Sequence, residues 1–153
     1  MRIDKLTTKF QEALGDAQSL ALGKDHAYID PAHVLQAMLQ QQDGPKALLQ
    51  RAGVNTTALL STATSAVDRL PQVTGQDQVQ VGPDLVKLLQ AAEKESLKRG
   101  DSFVASELFL LALADSKLEL ARSAKAAGLS RQSLETAVDA VLGGQNVNSA
   151  EAE

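Results

Sequence analysis

The sequence contains no cysteine and no tryptophan, and it has only three phenylalanines, one tyrosine and four prolines. Without cysteine there is no disulfide framework, thiolate nucleophile or sulfur-ligated metal, a composition that fits a reducing cytoplasm. With aromatics at 3%, the core has to be built from Leu, Val and Ala, which favours closely packed helices over strands. Basic residues are not in excess either. Fifteen Lys and Arg against nineteen Asp and Glu leave a formal charge of −4 and a pI near 5.2. Nucleic-acid binding, which draws affinity from cations that neutralise phosphates, is therefore disfavoured. Lys94, Lys98 and Arg99 cluster, but Glu93 and Glu95 stand among them, as on a solvated helix face. No apolar run approaches membrane length and no apolar signal region opens the chain, so a soluble cytoplasmic protein is expected.

Catalytic and metal motifs are missing as well. His26 and His33 lie seven residues apart across a loop and a helix start, which is not the i, i+4 spacing of a zinc pair. Structural roles are expected for both. There is no Gly-x-Ser-x-Gly turn and no Gly-x-x-x-x-Gly-Lys-Ser/Thr phosphate loop. Glu93 and Glu95, two apart on a helix, point to different faces and do not form a carboxylate pair. The expectation is a chain with no catalytic site and no metal, nucleotide or other cofactor of its own.

What the sequence does have is a repeat. Ala52-Gly53-Val54 recurs as Ala127-Gly128-Leu129, an offset of 75 residues. Without gaps the same offset pairs Phe10 with Leu85, Leu14 with Leu89, Ala17 with Ala92, Tyr28-Ile29 with Phe103-Val104, and Leu35 with Leu110. It continues through Ala37 with Ala112, Met38 with Leu113 and Leu59 with Leu134. Each copy reads as four helices. In the first, Leu6, Phe10, Leu14, Ala17 and Ala21 form a stripe that ends near Gly23. Asp30-Pro31 supplies an N-cap and a first-turn proline. Gly44-Pro45 starts a short third helix that Gly53 closes, and Asn55 caps a fourth that Pro71 stops. In the second copy Pro83, Ser106 and Ser130 open helices, while Gly100 and Gly128 end them.

The expected architecture is all-α: repeat one over 1–70, a connector over 71–82, repeat two over 83–142. The copies are expected to pack through their equivalent first and second helices, burying Leu14, Leu35, Leu110 and Leu113. Val73, Val79 and Val81 in the connector allow a short strand. Residues 143–153 show no apolar periodicity and begin with two glycines, so a flexible, dispensable tail with nothing to bury is expected.

One asymmetry between the copies points to binding. His33 of the first becomes Leu108 in the second, and Gln36 becomes Leu111. Leu108, Phe109, Leu110, Leu111 and Leu113 cover more of a helix than one core-facing stripe requires. Two explanations are open: a helix buried on both sides, or an apolar groove left for a partner.

Several segments resemble the N-domain of ClpB-type disaggregases. They are Met1-Arg2-Ile3-Asp4-Lys5-Leu6-Thr7-Thr8-Lys9-Phe10, Ala17-Gln18-Ser19-Leu20-Ala21 and Arg69-Leu70-Pro71-Gln72-Val73. Lys98-Arg99-Gly100-Asp101-Ser102-Phe103, Ser106-Glu107-Leu108-Phe109 and Lys125-Ala126-Ala127-Gly128 extend the likeness, which spans the chain. The resemblance implies an eight-helix double Clp repeat with pseudo-twofold symmetry. It implies further a place before two AAA+ modules that use ATP and magnesium, in a homohexamer that threads aggregated polypeptides and works with a DnaK-type chaperone. The domain would contact unfolded or aggregated client proteins, and alone it would be a monomer.

The client-binding positions that the resemblance implies are Thr7, Asp101 and Glu107, with Leu89 and Leu108 as apolar neighbours. Ala91 and Glu95 stand where some relatives are apolar. Leu89 and Leu108 would offer apolar area, while Asp101 and Glu107 would attract Lys or Arg or accept backbone hydrogen bonds. Local roles compete with these: Thr7 as a helix cap, Glu107 as a first-turn acid, Asp101 as a brace for the loop after Gly100. Two further function classes stand beside client capture. One is the adaptor-docking domain of a protease-coupled Clp unfoldase; the more distant one is an enzyme of unrecognised type.

Overall fold

The computed structural model describes residues 2–75 and 77–153; Met1, which opens the N-terminal motif, and Gln76 of the connector lie outside the described residues. Among the described residues eight α-helices carry the fold, and four of them begin behind a capping side chain. α1 (Thr8–Gly23) starts behind Thr7, whose Oγ1 accepts from the Phe10 backbone N–H. α2 (Pro31–Gln40) starts behind Asp30 in a capping box closed by His33. α3 (Lys46–Arg51) is short, and α4 (Thr56–Asp68) is capped by Asn55. The second copy runs α5 (Pro83–Arg99), α6 (Ser106–Asp115), α7 (Glu119–Ala126) and α8 (Arg131–Leu142), the last capped by Ser130.

Within each copy the second helix is the hub. α2 packs on α1 and α4, and α6 packs on α5 and α8. Both hubs are buried from their first residue almost to their last, Pro31–Leu39 in α2 and Ser106–Leu113 in α6. Both hubs pack chiefly on helices of their own copy. This corrects the expected packing through first and second helices: the copies meet mainly through α3 against α8 and α4 against α7. The first and second helices cross at fewer points, where α2 passes α5 and the Phe10 ring sets its edge against Phe109 at 6.0 Å. Leu35, Leu110 and Leu113 are fully buried, whereas Leu14 is only half-buried.

Short strands lock the copies together. β1 (Tyr28–Ile29) pairs in parallel with β2 (Gln80–Val81) at the end of the connector, with Ile29 opposite Val81. A single bridge joins Leu6 to Val104. The offset of 75 carries Leu6 to Val81 and Ile29 to Val104, so the bridge is the pseudo-twofold mate of the strand pair. Each copy thus completes its partner. The glycine markers of the repeat meet on the same symmetry. Asn55 donates its N–H to the Ala127 carbonyl at 2.9 Å, and a β-carbon on Gly128 would sit 3.1 Å from the Gly53 carbonyl oxygen.

The chain after α8 departs from the expected tail with nothing to bury. It turns at Gly143 and Gly144, both at positive φ, and runs back over the loop between α5 and α6. Val147 is 3% exposed there. The pattern search missed this because one buried side chain and a few backbone hydrogen bonds leave no periodic trace.

Candidate functional site

Two surfaces gather the residues of interest, and they meet at Leu6 and Thr7. The first is an apolar cleft of about 470 Å³ on the pseudo-twofold axis. Its walls are related by the repeat: Leu14 faces Leu89, Leu6 faces Val81, and Gln11 stands where the second copy has Val86. Leu14 and Leu89 are half-buried, while Ile3, Val81 and Val86 are 63, 47 and 39% exposed. Apolar side chains this open to water are a standing source of binding energy, about 25 cal/mol for each Å² a partner covers. Of the expected positions only Leu89 lies in this cleft. The pairing of Leu14 with Leu89 was visible in the repeat, but their shared half-exposure was not.

Leu108 does not line it. The residue is 2% exposed and belongs to the continuous core with Phe109, Leu110 and Leu111, so it has no surface to offer a partner. Of the two explanations for the apolar richness of α6, burial on both sides is the one observed. Glu95 is likewise occupied. Its carboxylate takes hydrogen bonds from Arg131 and Arg99, tying α5 to the start of α8, and their charge holds it below its ordinary pKa although burial pushes the other way.

The second surface is polar and contains Thr7, Asp101 and Glu107. Thr7 is fully buried; besides capping α1, its hydroxyl donates to a side-chain oxygen of Glu153. Thr8 N–H donates to the Ala150 carbonyl at 2.8 Å and Thr8 Oγ1 to Glu151 at 2.7 Å. On the loop between α5 and α6, Asp101 Oδ1 accepts the Val147 N–H at 2.9 Å, and the N–H groups of Ser102 and Phe103 both donate to the Val147 carbonyl. The local brace expected of Asp101 is therefore a brace on the chain after α8.

Glu107 sits in the first turn of α6, 9% exposed. Burial pushes its carboxyl up to about 7, the charges of Glu153 and Asp101 push the same way, and Arg99 only partly offsets them. Near neutral pH it is half protonated, which weakens the attraction for Lys or Arg expected of it. α6 starts at Ser106, where the sequence reading put it, but what satisfies that start was not foreseen. The helix is entered from Ala105, which has no side-chain acceptor, and the Ser106 N–H donates instead to Glu153 at 3.0 Å. The repeat held the signal, since the offset maps Asp30, the cap of α2, onto Ala105.

The two histidines form a buried structural pair. His33 Nδ1 accepts the Asp30 N–H at 2.9 Å, so its proton lies on Nε2 and is shared with His26 Nδ1 at 2.8 Å. Among the described residues there is no group of three His, Cys, Asp or Glu side chains placed to hold a metal ion, and no helix is long and apolar enough to cross a membrane.

Comparison with known proteins follows the same outline. Residues 5–127 match the family described as the Clp repeat (R) N-terminal domain. The "Chaperone protein ClpB" of Pseudomonas putida is 42% identical over 155 aligned residues, which cover 100% of this chain and 18% of that protein. The chain thus spans under a fifth of the length of such relatives. Among solved structures, the Hsp104 N-terminal domain from Candida albicans superposes with a TM-score of 0.84 at 23% identity, covering 97% of this chain and 98% of that one. A ClpV N-domain in complex with a VipB peptide superposes at 0.70 with 24% identity, covering 94 and 90% of the two chains. At those identities the two structures establish the shared fold.

Proposed function

Given that the chain belongs to the Clp repeat N-terminal domain family, as the N-terminal domain of a ClpB-type AAA+ chaperone, we propose that it captures unfolded or aggregated polypeptides and presents them to the modules that follow it in such proteins. The observation that carries this reading is the open apolar cleft between Ile3, Leu14, Val81, Val86 and Leu89. An unfolded client exposes the aliphatic side chains such a cleft can cover, with no need for a defined sequence. Binding is expected to be weak, because a shallow cleft also has to offset the ordering of a disordered client. In a homohexameric protein, several weak contacts would act together and so favour aggregates over single chains.

The test is to titrate a permanently unfolded model protein into the chain and into a Val86→Gln, Leu89→Gln variant, melting both in parallel. The variant is expected to melt normally and to bind several-fold more weakly. Equal binding by the two proteins would remove the cleft from the mechanism. The second reading, docking of one defined adaptor peptide, is favoured by a different observation: the polar surface at Thr7 and Asp101 already holds a segment of the chain, through the Glu153 side chain and the Val147 N–H. A defined peptide should be affected by changes at Thr7 and Asp101, and a generic unfolded client by changes at Val86 and Leu89.

A further inference from the structure

The segment seated on that polar surface is the chain's own. We propose that residues 147–153 are an intramolecular ligand, and that the surface between Thr7–Thr8 and the α5–α6 loop takes segments bearing a small apolar side chain followed, after a turn, by a carboxylate six positions on.

Three contacts define the recognition. Val147 is the anchor: its side chain is buried, and its N–H and C=O are both taken, by Asp101 and by Ser102 with Phe103. Midway, in the turn closed by the Ala152 N–H on the Ser149 carbonyl, the Ala150 carbonyl accepts from the Thr8 N–H at the start of α1. At the far end the Glu153 carboxylate accepts from Thr7 and from the Ser106 N–H at the start of α6, where backbone donors and the helix dipole favour an anion. Ser106 is fully buried and its hydroxyl has no partner among the described residues, so the pocket retains an unused polar group beside the carboxylate. The need for an incoming acid is built into the duplication. Copy one carries its own cap at Asp30, and copy two has Ala105 in its place.

The path of the segment also has a precedent within the molecule. After α4 the connector runs back over the loop following α1, where Val73 N–H donates to the Asp25 carbonyl at 2.8 Å. The connector is then fixed by the pairing of β2 with β1, whereas residues 147–153 are held by the hydrogen bonds above and the one buried side chain of Val147, a hold that a competing segment can replace. That an incoming client displaces them rests on the function proposed above; that the surface reads this pattern does not.

The probe is a synthetic peptide with the sequence of residues 145–153, added to a Val147→Asn, Glu153→Gln variant whose own segment is weakened. Saturable binding is expected, with shifts at the Phe103 and Ser106 amides. A peptide ending in Gln instead of Glu is expected to bind about tenfold more weakly, since it loses a charge-assisted pair of hydrogen bonds. No binding, or equal binding of the two peptides, overturns the proposal even if unfolded clients still bind. Binding of the peptide without displacement of an unfolded client upholds the proposal and instead counts against client capture at this surface. Should the variant fail to fold, amide exchange in the unaltered chain decides. Protection of the Ser102, Phe103 and Ser106 amides is expected, and exchange at free-peptide rates overturns the proposal.

Discussion

His33 and Glu107 are both buried titratable groups, and they give the protein opposite pH sensitivities. Burial, and then the charge His26 would carry, hold the His33 imidazole down at about 4 from an ordinary 6.5. The unfolded chain therefore takes up a proton that the folded chain refuses. The stabilisation is complete above pH 6.5 and is lost as pH falls towards 4, with an upper bound of roughly 3 kcal/mol. An NMR titration of the His33 ring should give a midpoint near 4, and a midpoint near 6.5 would mean that the ring is solvated. Glu107 runs the other way. Its folded value of about 7 lies above its ordinary 4.5, so the folded chain keeps a proton that the unfolded chain has released, and stability declines as pH rises from about 4.5 through 7. The groups that face it are Glu153 and Asp101, which oppose its ionisation, and Arg99, which favours it. Melts between pH 5 and 8.5 should show this decline, and Glu107→Gln should flatten it. Once Glu107 ionises it repels Glu153, so the protection of the Ser106 amide, relative to its intrinsic exchange rate at each pH, should fall as pH rises through 7.

α2 and α6 show how far an element can be read from its pattern. Both were expected as second helices, and the caps at Asp30 and Asn55 start their helices where the sequence put them. The apolar crowding of α6 was equally plain, but pattern alone left open whether the surplus faced a partner or more core. The answer depended on which neighbours arrived from elsewhere in the chain, and those contacts are set by tertiary packing. α5 and α8 both lie against α6, and Leu108 ends at 2% exposure with Leu110 at 0%. Leu108→Gln and Leu110→Gln should therefore destabilise alike, and Leu110→Ala should cost on the order of 2–5 kcal/mol in a denaturant melt. A Leu108→Gln protein that melts like the parent would return Leu108 to the surface. Leu89, by contrast, was expected at the surface and lies half-buried in the cleft wall. The docked segment was the least legible part. Its hold depends on backbone donors whose position follows from the loop between α5 and α6, and the only trace in the sequence was the alanine standing where the first copy has its aspartate cap.

At the scale of the molecule the duplication has produced one interlocked body. One continuous core runs from Leu6 to Val138, and each copy lends a strand residue to the other. Residues 1–70 alone would lack the partner of β1 and the helices that cover α3 and α4, so the whole should unfold in a single transition. The junction where Gly53 and Gly128 meet offers a clean test of that coupling. Both glycines sit at positive φ, +85° and +102°, so alanine at either place carries the ordinary left-handed penalty, roughly 1–2 kcal/mol. They differ in what lies beyond. A β-carbon at Gly53 meets nothing within 4 Å, whereas at Gly128 it meets the Gly53 carbonyl oxygen at 3.1 Å and the Val54 Cα at 3.4 Å, both backbone atoms of the other copy. Backbone does not swing aside as a side chain does, so the junction has to open and strain the Asn55-to-Ala127 hydrogen bond next to it. Gly128→Ala should therefore cost about 1 kcal/mol or more beyond Gly53→Ala, a difference of roughly 2–4 °C in midpoint for a chain of this size. Parallel thermal melts of the two variants measure it. Equal losses would mean that the copies are less tightly joined at this point than their geometry requires.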